Sequence, residues 1–107
     1  MSTAAKAEVL ILSEMVSYQT GSVVSRQVVK TDGGNVTLFA FDSGQELSEH
    51  TTPFDALVHV LDGEAEIKIA GQEHRVQAGE AIIMPANQPH AVKAASRFQM
   101  LLTMIKA

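Results

Sequence analysis

The stretch Leu57–Ala70 restricts the fold more than any other part of the chain. It reads LVHVL, then Asp62-Gly63, then EAEIKIA. Asp-Gly between two strand-like runs closes a tight hairpin, because glycine accepts the positive φ that such a turn requires. On the return run Ala65, Ile67 and Ile69 share one face, while Glu64, Glu66 and Lys68 share the other. A period of two fits a half-buried strand and no helix.

The same punctuation continues from Ser22 to the C-terminus. Strands are expected at Val23–Lys30, Asn35–Phe41, Leu57–Leu61, Glu64–Ala70, Glu73–Gln77, Ala81–Met84, His90–Lys93 and Arg97–Lys106. Glycine turns and the stiff Pro85–Pro89 loop separate them. Phe98, Met100, Leu102 and Met104 fall on one face of the last strand. Only Ser13–Val16 suggests a helical turn. Asn35–Phe41 and Ala81–Met84 are apolar on both faces, which implies two packed sheets and an outer apolar surface. The expectation is an all-β antiparallel double-sheet, or jelly-roll, barrel over 21–107 with an N-terminal segment 1–20. Its first residues, 1–8, should fray. A homodimer would cover the outer surface, and Val9–Val16 is the alternative cover.

Composition removes several classes. The chain has 107 residues, 46% hydrophobic and 19% charged, which is a single globular domain. Basic residues number 8 against 12 acidic ones, with no basic cluster, so nucleic acid is not an expected partner. No run approaches the roughly 20 apolar residues of a membrane span. The N-terminal VLIL lacks the length and basic lead of a signal peptide, so a cytoplasmic chain is expected. There are no cysteines, hence no disulfide and no thiol nucleophile.

Two segments carry a family pattern. Gly44–Gly63, GQELSEHTTPFDALVHVLDG, resembles the first cupin motif, G-x5-H-x-H-x3,4-E-x6-G; Gly79–Ala94, GEAIIMPANQPHAVKA, resembles the second, G-x5-P-x-G-x2-H-x3-N. Gly44, His50, Gly63, Gly79, Pro85 and His90 all stand at the required spacings. The resemblance implies the cupin barrel and a divalent metal (nickel, manganese, iron or zinc) held by three histidines and a glutamate. Of those positions His50 and His90 are histidine, while Thr52 and Ala56 replace the other two. Asp55 stands one residue from the glutamate position, and strand alternation turns it to the opposite face. Asn87 replaces the glycine of the second motif and tolerates positive φ. Ala94 replaces its asparagine.

The functional expectation is a pocket for a small polar or carboxylate-bearing molecule. His50, Thr52 and His90 would line its mouth, and Val58, Val60, Met84 and Met100 its apolar walls. His50 and His90 are the candidate metal ligands. The alternatives are a metal-dependent oxygenase or isomerase with a reduced ligand set, and a structural dimer with a vestigial pocket. His59 should face outward, and His74, on a hairpin, should lie at the surface or at an interface. Tyr18 has no evident acidic partner in the sequence, and the methionines read as core filling.

Overall fold

The computed structural model describes residues 4–107. Residues 1–3 of the expected frayed stretch lie outside that range. Within it, Ala4 N–H donates to the Val28 carbonyl at 2.9 Å, and residues 5–9 are exposed. Nine strands follow one 3₁₀ turn, Leu12–Glu14: β1 Val23–Thr31, β2 Gly34–Phe41, β3 Glu46–His50, β4 Phe54–Asp62, β5 Glu64–Ile69, β6 Gln72–Gln77, β7 Ala81–Met84, β8 His90–Lys93 and β9 Phe98–Lys106. The helical turn expected over Ser13–Val16 is thus the 3₁₀ turn one residue earlier. Among the described residues no helix is long and apolar enough to cross a membrane.

The strands form two antiparallel sheets, one in the order β1-β2-β9-β4-β7 and the other β3-β8-β5-β6. One strand, β3, was not expected. ELSEH contains a single apolar residue, Leu47, and four of its five residues are exposed. It exists because it pairs with β8, Glu46 opposite Lys93 and Leu47 opposite Val92. Tertiary pairing outweighs a weak local pattern here. The β4–β5 turn behaves as the Asp-Gly pair requires, with Gly63 at φ +74°.

Between the sheets lies the main core, in which Phe41, Val58, Val60, Phe98 and Met100 have no solvent exposure. Phe41 and Phe98 stack with ring centroids 4.5 Å apart. A second, smaller core lies on the outer face of the five-stranded sheet. There Leu38 and Ala40 of β2 are buried under Val16, with Leu12, Met15 and Tyr18 packed around them. Part of the apolar outer surface assigned to a partner chain is therefore covered by the chain's own N-terminal segment.

The end of that segment is fixed by a polar cluster where β2 and β4 end and β9 begins. Tyr18 Oη donates to Asp62 Oδ2 at 2.6 Å, which supplies the acidic partner that sequence distance concealed. Partial burial, then the Asp62 hydrogen bond and charge, push the Tyr18 hydroxyl well above the ordinary phenol range. The Arg97 guanidinium lies 5.4 Å over the Tyr18 ring, and its Nε donates to Asp42 Oδ1 at 2.7 Å. Asp42 also accepts the Gly21 amide at 2.7 Å. The Arg97 hydrogen bond, followed by that of Gly21, holds the Asp42 carboxyl below its usual value.

Candidate functional site

At the opposite end of the barrel, where β3 stops and β8 starts, His50 and His90 are direct cross-strand partners. Directly opposed residues of an antiparallel pair share a face and stand close enough for their side chains to meet. The rings meet edge to face, with centroids 4.4 Å apart and an interplanar angle of 69°. His90 is 3% exposed, whereas His50 is open to solvent.

Each imidazole is fixed in the same local way. His50 Nδ1 lies 2.8 Å from the Ser48 carbonyl, and His90 Nδ1 lies 3.2 Å from the Gln88 carbonyl. A carbonyl oxygen only accepts, so both Nδ1 atoms carry the proton. In the neutral rings both Nε2 atoms then bear lone pairs, and these two atoms face each other at 3.2 Å. The contact is a hydrogen bond only when one ring gains a second proton. Burial above all, and then the neighbouring His50, push the His90 imidazole below the ordinary histidine value. Of the two rings, the buried His90 is the one on which a second proton is disfavoured.

Behind the pair is a cavity of about 50 Å³. His50, Thr52 and His90 form its polar side, and Ala56, Met84, Met100 and Leu102 face them. The expected walls need one correction. Val58 and Val60 share the inward face of β4 but lie deeper, with no exposure, and do not line the cavity. Leu47, Val92, Leu102 and Met104 line it instead. The signal for Leu102 and Met104 was present in the alternation of β9. Leu47 was not readable without β3.

The loops beside the cavity are tied together. Asn87 adopts φ +66°, and its amide donates to the Thr52 carbonyl at 2.8 Å. Thr52 Oγ1 is already engaged, donating to the Phe54 carbonyl at 3.2 Å and accepting the Phe54 amide at 3.3 Å. Asp55 faces away, as alternation requires, and its carboxylate accepts the Ala86 amide at 2.9 Å. Elsewhere His59 is half-buried on the outer face. His74 is half-buried at the sheet edge opposite Ile67, turned more inward than a surface residue. A larger groove of about 280 Å³ crosses the outer face of the four-stranded sheet, among Glu46, Glu66, Lys68, Glu73 and Lys93. It contains neither ring of the histidine pair. Its side chains are cross-strand pairs of opposite charge (Lys93 opposite Glu46 and Glu66, Lys68 opposite Glu73), the ordinary dress of a solvated sheet.

Comparison with known proteins agrees with this architecture. Residues 37–106 match the cupin domain family. The chain belongs to the cupin family. A conserved protein of unknown function from Streptococcus pyogenes superposes with a TM-score of 0.91 at 40% identity, covering 100% of this cupin and 96% of that chain. A cupin superfamily protein from Desulfitobacterium hafniense gives 0.90 at 25% identity, over 99% and 97%. Among curated proteins, the pyrimidine/purine nucleoside phosphorylase of Geobacter sulfurreducens is 36% identical over 90 residues, 82% of this cupin and 85% of that protein.

The cupin motifs imply a metal held by three histidines and a glutamate, and the donors here are too few for that ligand set. The Nδ1 contacts leave both Nε2 atoms unbound by carbonyls, so the pair could hold a cation by two imidazoles. The remaining family positions add nothing, since the Thr52 hydroxyl is bound to backbone and Ala56 offers a methyl group. Among the described residues no three histidine, cysteine, aspartate or glutamate side chains are placed to share a cation. This cupin does not carry the four-ligand site.

Proposed function

We propose that this cupin binds a small molecule by its anionic or hydrogen-bonding end, at the mouth formed by His50, Thr52 and His90. The observation that carries the reading is the 3.2 Å contact between the two Nε2 atoms while both Nδ1 atoms are held by carbonyls. That arrangement sets two Nε2 atoms, each able to take a proton, at the mouth of an apolar cavity. A carboxylate or phosphate group reaching the mouth would favour a proton on one ring and gain a charge-assisted hydrogen bond in place of the histidine–histidine contact. A cavity of about 50 Å³ has room for little more than one or two water-sized groups. The ligand would therefore lie across the mouth, with one small group inserted toward Met84 and Met100.

A second reading is favoured by the curated relatives, which at 30–36% identity share the name pyrimidine/purine nucleoside phosphorylase. In phosphorolysis a phosphate oxygen bonds to the sugar C1′, and the bond from C1′ to the base nitrogen breaks. The base leaves with the electron pair and takes up a proton. The histidine pair would supply the charge that holds phosphate and the proton that the leaving base accepts.

One set of measurements tests both readings. Calorimetric titration with inorganic phosphate and with small carboxylates should show binding that is lost in His50→Gln and in His90→Gln. Incubation with purine and pyrimidine nucleosides plus phosphate should release free base only under the phosphorolysis reading. Protein that takes up neither anion overturns the mouth as a ligand site. Binding without base release leaves the first reading and removes the second.

A further inference from the structure

Three of the chain's five methionines, Met84, Met100 and Met104, line the same cavity as the histidine pair. Strand register places two of them in a single row. Ala56 of β4 stands opposite Met84 on β7 and opposite Met104 on β9. Directly opposed residues of antiparallel strands share a face, so both thioether side chains flank the alanine that replaces the motif glutamate. Met84 is 3% exposed, and Met100, with no exposure, lies deeper on β9. Where the family pattern has a carboxylate, this barrel has a methyl group between two sulfur-bearing side chains.

This donor set has a definite chemical preference. Both Nδ1 protons are held by carbonyls, so each neutral imidazole offers Nε2 as its donor atom. The two Nε2 atoms stand 3.2 Å apart. Two nitrogens each about 2.0 Å from a tetrahedral ion would stand about 3.3 Å apart, so the pair already has the spacing of one edge of such a site. Imidazole with thioether suits a soft cation, whereas hard divalent ions call for carboxylate and carbonyl oxygen. Charge points the same way. Every donor is neutral, and the cost of taking an ion out of water rises steeply with its charge. An apolar cavity without a carboxylate therefore tolerates one positive charge far better than two. At about 50 Å³ it has room for one ion stripped of water.

We propose that this mouth is a site for a soft, singly charged cation. His50 and His90 bind copper(I), or silver(I) in its place, through Nε2, and Met84 and Met104 complete the shell with thioether sulfur. Methionine side chains are unbranched and adaptable, so their sulfur atoms can turn toward an ion beside the rings. The site departs from the four-ligand pattern in kind as well as in number, taking a monovalent cation where that pattern takes a divalent one. It uses the same rings as the anion reading but does not rest on it, because it needs no proton on either Nε2.

Calorimetric titration with silver nitrate in chloride-free buffer, and anaerobic titration with copper(I), read the outcome. Native protein should take up one equivalent of either, at least roughly tenfold more tightly than zinc or nickel. Met84→Leu and Met104→Leu nearly conserve volume, so the barrel should fold, and each should weaken silver and copper(I) binding by roughly tenfold or more. X-ray absorption at the copper edge of the loaded native protein should show both nitrogen and sulfur neighbours. If a leucine variant unfolds, that spectrum still decides. Native protein that takes up neither cation overturns the proposal. So does a copper shell of nitrogen alone, silver binding that both leucine variants keep, or zinc or nickel bound as tightly as silver. The phosphate and carboxylate titrations are separate: native protein that binds silver but no anion fails the anion reading and upholds this one.

Discussion

At the scale of single residues, the histidine pair and the positions around it decide what this barrel can do. His50, Thr52, Ala56 and His90 line one cavity, so the family ligand positions keep their geometry even where the side chains have changed. Thr52→His together with Ala56→Glu should therefore bind nickel or zinc well above the native affinity, as measured by calorimetric titration. The gain should stop short of a full metalloprotein site by roughly 10- to 100-fold, because no outer-shell partners have been placed for the new ligands. Equal affinity of native and variant protein would contradict the assignment of Thr52 and Ala56. His90 also sets a pH dependence. Its folded-state value is held below the ordinary histidine value by burial and by His50, so the unfolded chain binds its proton more readily. The stability from the neutral ring is complete above the ordinary value near 6.5 and falls as pH drops below it. Melting temperatures at pH 7.5 and 5.5 should differ less in His90→Gln than in the wild type.

At the scale of elements, the β4–β5 hairpin is the most demanding turn. Gly63 adopts φ +74°, and a β-carbon there would overlap the Arg97 carbonyl oxygen and crowd Phe98. Backbone strain and steric overlap act together, so Gly63→Val should cost at least ~1–3 kcal/mol in urea unfolding. An unchanged midpoint would mean that the hairpin and the start of β9 can separate freely. The strand β3 teaches a different lesson. It is almost wholly exposed and polar, yet it places His50 opposite His90. An element that contributes little to the core positions half of the candidate site.

At the scale of the whole molecule, the chain is a double-sheet barrel with one extra layer, the N-terminal segment, on its outer face. Val16 is 5% exposed and is the buried centre of that layer. Val16→Asp would bury a carboxylate among Leu38 and Ala40, and the segment should lift rather than accept it. Limited proteolysis should then cut before Val23 while the barrel remains resistant. Cleavage at the same rate as in the wild type would show that the segment is held mainly by the cluster of Tyr18, Asp62, Arg97 and Asp42.

The sequence by itself determined the barrel. Strict alternation in β5, the Asp62-Gly63 turn and the spacing of Gly44, His50, Gly79, Pro85 and His90 are local signals, and local signals survive without coordinates. They also fixed which side of β4 Ala56 faces and which side Asp55 faces, because a strand has only two faces. Tertiary structure decided the rest. β3 forms because β8 pairs with it, Tyr18 meets Asp62 across 44 residues of chain, and Leu47, not Val58, reaches the cavity. The facing Nε2 atoms of His50 and His90 belong to the same class. Each depends on depth within the barrel or on the partner across a sheet, and neither quantity is encoded by any window of neighbouring residues.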